Sequence, residues 1–199
     1  VCDLELARAL DRRAQAQNKK IKVHVKIDTG MGRLGVWHEE AFAFIKKISR
    51  LKGLTLEGLY THFAASDIDR EFTKKQIDDF TRVILKLKKE GKTIPYYHAS
   101  NSIGTISFSH DLLNLARPGL MLYGMYPADF ARSEIALKPV MSVKSKILFL
   151  KEIAKGRSVS YGRTFIAPRA MKVATLPIGY NDGYFRIFSN RAYVLADGV

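Results

Sequence analysis

Lys26-Ile27-Asp28-Thr29-Gly30-Met31-Gly32-Arg33-Leu34-Gly35 follows an apolar strand pattern over residues 21–27 and closes in a glycine-spaced turn that presents one fixed cation. Gly30, Gly32 and Gly35 admit backbone angles and close approaches that a side chain forbids. Arg33 offers a planar fork suited to a carboxylate, a phosphate or a phenolate-type oxygen, although a plain structural turn would read the same way. Met31 and Leu34 are expected to pack into the core and hold the loop down.

Outward from this loop the chain alternates between helix and strand patterns. Residues 3–17 carry Leu4, Ala7, Leu10 and Ala14 at helical spacing behind an Asp3 N-cap. Residues 37–51 carry Phe42, Ile45 and Ile48 and are closed by Gly53, and residues 71–90 carry Phe72, Ile77, Phe80, Ile84 and Leu87 and are closed by Gly91. Residues 21–27, 54–60 and 93–98 read as strands, residues 102–108 as a short helix and residues 112–116 as a fourth strand. Such alternation implies parallel βα units. Arg33, His62, Ser102, and Arg117 with Gly119 fall just after the strands. Function sits there in a (β/α)8 barrel and in a doubly wound sheet alike, so the pattern alone does not separate the two.

After Gly124 helical periodicity fades. Residues 140–150 alternate like a strand, and residues 172–177 and 192–196 are further strand candidates. The expected organisation is an α/β part over residues 1–135 and a β-rich part over 136–199. A complete barrel takes ~250 residues, and about four strands are on offer, so the chain reads as an interior segment of a longer protein.

Composition narrows the function classes. No apolar stretch approaches the ~20 residues that span a bilayer, and no signal segment opens the chain. Cys2 is the only cysteine, which excludes a disulfide framework and a zinc cluster and suggests a cytoplasmic protein. The net charge of +14, from 33 Lys and Arg against 19 Asp and Glu, tempts one toward nucleic acid. The lysines, however, sit in helix-like blocks without interleaved aromatics, as solvated faces and C-terminal turns do. Neither a nucleic-acid nor a membrane partner is expected, and no metal.

Further segments follow in order: Thr61-His62-Phe63-Ala64-Ala65-Ser66-Asp67, His98-Ala99-Ser100-Asn101-Ser102, Ala116-Arg117-Pro118-Gly119-Leu120-Met121-Leu122-Tyr123-Gly124, Ser158-Val159-Ser160-Tyr161-Gly162-Arg163-Thr164-Phe165 and Pro177-Ile178-Gly179-Tyr180-Asn181-Asp182-Gly183-Tyr184. With the opening loop, they make nearly the whole chain resemble the alanine racemases among the fold-III pyridoxal-phosphate enzymes, from the middle of the (β/α)8 barrel into the C-terminal β domain. The resemblance implies racemisation of L-alanine to D-alanine for peptidoglycan, pyridoxal 5′-phosphate as cofactor, and a homodimer in which one subunit's β domain covers the other's barrel mouth. It assigns to Tyr161 the role of one catalytic base and to Arg117 the pyridine nitrogen. Ser102, Gly119 and Leu120 match the phosphate cradle, and Arg33 the cofactor's phenolic oxygen and the substrate carboxylate. His62 matches a histidine that links Arg117 and Tyr161, with His98 extending the network. Lys26 matches a lysine that is carbamylated in some members, and Tyr180 and Arg186 match the substrate's access corridor.

Each residue also has a plainer reading: Tyr161 as packing, Arg117 as a capped turn, Ser102 as an N-cap, His62 as a core histidine, Lys26 as a snorkelling strand end. The family's cofactor-linking lysine lies in an Ala-Tyr-Gly-His-like context that no lysine here shares, so residues 1–199 alone are expected to be inactive. Related fold-III racemases or decarboxylases and binding-only relatives are the nearest alternatives. The decarboxylases use a β-domain cysteine that is missing here, and the binding-only proteins lack the β domain. An inactive remnant or basic interaction module is the alternative from another class.

Overall fold

The computed structural model describes residues 1–196, and the chain divides into two compact units, Val1–Met141 and Ser142–Val199. In the first unit, α1 (Leu4–Ala16), β1 (Ile21–Asp28), β2 (Val36–Trp37), α2 (His38–Ile48), β3 (Leu54–Tyr60), α3 (Arg70–Lys89), β4 (Tyr96–His98) and α4 (Ser102–Ser107) follow in order. α1 and α3 start where the sequence supplies an acceptor: Asp3 takes the Leu6 amide at 2.7 Å and Asp69 the Phe72 amide at 2.9 Å. Gly91, at φ +70°, ends α3 in the left-handed region.

The sheet runs β2-β1-β3-β4, all parallel. β1, β3 and β4 are neighbours in chain order, with the two-residue β2 on the free edge of β1, and α1, α2 and α3 pack one beside the next. That is the winding of a barrel segment, which the sequence pattern could not distinguish from a doubly wound sheet. Val23, Val25 and Ile27 of β1 face the helices and join Ala41, Ile45 and Ile48 of α2 and Ile77, Phe80, Ile84 and Leu87 of α3 in one core. The other face of the sheet is polar. His24, Gly58 and Tyr96 share one level of it, and Lys26, Tyr60 and His98 the next.

Three expectations are corrected here. Residues 112–116 form no strand: the Asn114 side chain accepts from the Tyr97 amide at 2.9 Å, taking the donor that a ladder carbonyl would need. Leu34 is 58% exposed and does not pin the loop. Asp28 does so instead, accepting from the Gly30 and Met31 amides at 2.8 and 2.9 Å. Gly53 does not cap α2, which ends five residues earlier. Its bare Cα lets the start of β3 approach α1, where a Cβ would lie 2.7 Å from the Asp11 carbonyl.

The second unit holds two antiparallel pairs. β5 (Phe149–Ile153) pairs with β8 (Met171–Thr175), and β6 (Ser158–Val159) with β7 (Phe165–Ile166). Only the end of the expected strand over 140–150 forms, because only there does a partner run alongside. Residues 192–196 form no strand; Tyr193 and Leu195 are exposed and nothing described pairs with them. The last expected residues of this unit, 197–199, lie outside the described residues.

Candidate active site

Residues that leave the C-terminal ends of β1, β3 and β4 converge in the first unit. Arg117 is half-buried, and its guanidinium donates to Nδ1 of His98, to the Thr61 carbonyl at 2.7 Å and to the Ala99 carbonyl at 3.2 Å. Its backbone amide is held by the Ser100 carbonyl at 2.9 Å. The Tyr60 ring lies flat against His98, with centroids 5.1 Å apart and planes within 7°, and the Arg117 guanidinium stands 5.3 Å from the same Tyr60 ring. Of the five N–H groups a guanidinium carries, three are taken, leaving Nε and one Nη1 proton free among the described residues.

Ser102 opens α4 and is buried. Its hydroxyl oxygen accepts the Gly119 amide at 2.9 Å and lies 3.5 Å from the Met121 amide, so its own proton is free to bind an anion. Gly119 and Leu120 lead into a short 3-10 turn at Leu120–Tyr123. The two free Arg117 donors suit an aromatic ring nitrogen. The Ser102 hydroxyl beside backbone amides suits a phosphate. This donor set therefore fits pyridoxal phosphate.

On β1, Lys26 is buried, and among the described residues its ammonium donates only to the Ile27 carbonyl, at 3.1 Å. Burial, with the Arg117 and Arg33 charges adding to it, holds its pKa below the ordinary lysine value. For Asp28 burial works toward a neutral carboxyl, yet the amides of Gly30, Gly32 and Met31 and the Lys26 charge outweigh it and hold its pKa down. Arg33 stands exposed on its glycine turn.

The His62 ring makes no hydrogen bond among the described residues; burial and the Arg117, Arg33 and Lys26 charges lower its pKa. The imidazole bonded to Arg117 is that of His98, which burial, Arg117 and His24 push down to about 4. Gln76, fully buried on α3, ties the loops together. Its Nε2 donates to Thr29 Oγ1 and to the His62 carbonyl, both at 3.2 Å, and its Oε1 accepts from the Ala64 amide at 2.9 Å. Thr29 and Thr61 close the link, hydroxyl to hydroxyl, at 2.7 Å.

Tyr161 and Tyr180 belong to the second unit. Tyr161 opens a 3-10 turn and is 88% exposed, and Tyr180 opens another and is exposed too. Arg186 begins a third.

Two sequence families match the chain: residues 1–127 match "Alanine racemase, N-terminal domain" and residues 140–199 match "Alanine racemase, C-terminal domain". The chain belongs to the alanine racemase family. It is 46% identical to the alanine racemase of Halothermothrix orenii over 195 residues, 98% of this chain and 52% of that protein. Among solved structures, it superposes on the alanine racemase of Clostridium difficile 630 with a TM-score of 0.82 at 38% identity, covering 94% of this chain and 50% of that one. The alanine racemase of Bacillus anthracis with bound L-Ala-P gives a TM-score of 0.70 at 31% identity, covering 90% and 48%. The chain thus spans about half the length of the alanine racemases it matches. Among the described residues no helix is long and apolar enough to cross a membrane.

Within this alanine racemase barrel segment, sequence reasoning overlooked His24, Tyr60, Thr61 and Gln76. One signal was available for His24. It begins a polar row, His24, Lys26, Asp28, that alternates with Val23, Val25 and Ile27 in β1, the pattern of a strand whose second face is closed in rather than solvated.

Proposed function

We propose that this chain serves the pyridoxal-phosphate-dependent racemisation of L-alanine to D-alanine, an activity belonging to the protein at the full length of its relatives. Family membership supports the reaction. The observation that carries the cofactor site is Arg117, seated by His98, Thr61 and Ala99 with two N–H groups unspent beside Ser102. We assign the barrel part to residues 1–135 and the β domain to 136–199.

Pyridoxal phosphate, when bound, supplies the electron withdrawal that makes the α-proton of an amino acid removable. In this proposal the Ser102 hydroxyl and the Leu120 amide would hold its phosphate, the Gly119 amide would turn to it from the Ser102 oxygen, and Arg117 would donate to the ring nitrogen. A guanidinium keeps its protons, so the ring nitrogen is bonded without being protonated. Arg33 would meet the phenolic oxygen and the substrate carboxylate, His98 seats Arg117, His62, its ring unbonded among the described residues, would link Tyr161 to that side of the site, and Tyr180 would line the approach. Tyr161 takes or returns the α-proton on one face. A phenol titrates near ~10, so it needs positive charge close by to do this near neutrality. We place the protein in the cytoplasm as a homodimer, with Tyr161 reaching the partner subunit's barrel.

The test is Tyr161→Phe in the full-length protein. Cofactor absorbance should persist while racemisation falls by about 10²–10⁴, the effect of losing a general base, and unequally in the two directions. Unchanged activity refutes the assignment. Residues 1–199 alone should exchange no L- into D-alanine in the presence of pyridoxal phosphate; robust exchange would refute the dependence on a lysine these residues lack.

A further inference from the structure

A row of polar side chains runs away from Arg117 across the inner face of the sheet. His98 receives the guanidinium on Nδ1, and its Nε2 lies 2.7 Å from Nδ1 of His24. Nε2 of His24 in turn faces the Glu57 carboxylate at 3.6 Å, which Lys22 pairs from outside at 2.7 Å. Two local features make this reach possible. The β1–β3 register slips by one residue between Val23 and His24, so that Gly58 stands opposite His24 with Glu57 beside it. Gly58 leaves room for the imidazole: a Cβ there would sit 2.3 Å from His24 Nδ1.

We infer that His24 is a positioning residue for Arg117: it fixes the direction of a hydrogen-bond chain from Arg117 through His98 to His24, and its protonation reverses that direction and unseats the guanidinium.

The direction follows from donor counting. A guanidinium only donates, so His98 Nδ1 must be a bare lone pair. Neutral His98 then carries its proton on Nε2 and gives it to Nδ1 of His24. That leaves the His24 proton on Nε2, toward Glu57. If His24 gains a second proton, two N–H groups confront each other across 2.7 Å. Moving the His98 proton to Nδ1 merely shifts the conflict to the Arg117 contact. The chain holds only while both rings are neutral.

Every charged or titratable group around His24 enters the balance. Glu57 on β3 faces the ring and is paired in turn by Lys22. Tyr96 on β4 stacks on the ring at 6.0 Å, and His98 meets it at 2.7 Å with Arg117 behind. The low pKa of His98 agrees with a ring locked between donors. That Arg117 goes on to meet a cofactor rests on the function proposed above; the chain itself does not.

The test is ¹⁵N NMR of the histidine rings in the full-length protein without cofactor, as pH is lowered, in wild type, His24→Asn and His24→Leu. In wild type both rings should be Nε2–H tautomers at neutral pH. His98 should lose its single tautomer in step with His24 protonation, the ordered form falling about tenfold per pH unit, as one proton requires. The amide oxygen of the His24→Asn side chain replaces the Nδ1 acceptor without titrating, so that variant should keep the His98 tautomer and lose the acid step. His24→Leu should mix the tautomers already at neutral pH. An Nδ1–H tautomer at His98 in wild type, or an acid step of unchanged midpoint in His24→Asn, overturns the inference. Titration with pyridoxal phosphate followed by absorbance separates the two readings. If the rings behave as expected and affinity ignores the acid step, the cofactor role of Arg117 fails while the chain stands.

Discussion

Replacing Gln76 by Leu removes the amide that binds the loop after β1 to the loop after β3 while nearly preserving side-chain volume. Three hydrogen bonds go, but their loss is unequal. Thr29 Oγ1 keeps Thr61 as a partner at 2.7 Å, so its hydroxyl is not orphaned. The Ala64 amide and the His62 carbonyl lose the only side-chain partner they have in a region where Gln76 is fully buried. A buried polar group left bare costs about 1–3 kcal/mol, and these two are part-buried, so about 1–2 kcal/mol each; the new apolar side chain returns about 1–2 kcal/mol, and the net loss is about 0–3 kcal/mol. In urea, with m about 1–3 kcal/mol/M, a loss of about 1.5 kcal/mol should lower the midpoint by roughly 0.5–1.5 M at unchanged m. The Ala64 amide should also exchange its hydrogen faster than in wild type. A midpoint within about 0.2 M of wild type, with Ala64 still protected, would show that the loops are held by something other than Gln76.

Acid should weaken the fold through His98. Its folded-state pKa of about 4 lies below the ordinary 6.5, so between those values the unfolded chain binds a proton that the native chain refuses. Stability is therefore untouched above pH ~6.5 and falls toward pH ~4 by at most about 3 kcal/mol, and His98→Asn should flatten that limb of the urea midpoint against pH. Buried Lys26, its pKa lowered by burial against the opposing pull of Asp28 and its ammonium in no ion pair among the described residues, should take up carbon dioxide as a carbamate. ¹³C NMR under labelled bicarbonate should show the signal in wild type and lose it in Lys26→Met. Leu34→Ser should change stability by less than about 0.5 kcal/mol, because Leu34 is 58% exposed. Gly30→Ala should cost about 1–3 kcal/mol, since its φ is +131° and a Cβ would meet Phe72 at 2.6 Å.

What could be read from the sequence was what neighbours in the sequence decide. The apolar stripes of α2 and α3, the Asp3 cap and the Gly91 stop depend on contacts within a turn or two. Their boundaries in the structure fall within a few residues of the periodicity. Arg117 and Ser102 were visible because each lies in a recognisable run, although only Ser102 follows a strand that forms. Gln76 was not: on a helix rich in lysine and aspartate it reads as one more solvated residue, and only the loops arriving from β1 and β3 bury it. The fate of residues 112–116 hung on one Asn114 side chain competing for a backbone donor. The strand pattern over 140–150 names residues that suit a sheet but says nothing of a partner, and a pair forms only where β8 reaches.

The slip between Val23 and His24 sets the phase in which β3 is read, much as an extra letter sets a reading frame. Downstream of it, Leu59 points to the helices while Gly58 and Tyr60 point to the polar face. Deleting Glu57 would make Leu56 and Gly58 consecutive partners of Val23 and His24, so the faces downstream would be kept while the carboxylate facing His24 would be lost. Inserting a further residue beside Glu57 would instead exchange inside for outside at the positions that follow, or force the whole strand to slide. Two relatives with equally hydrophobic β3 segments would share the polar row with or without the extra residue, but only with it would an acid stand beside His24.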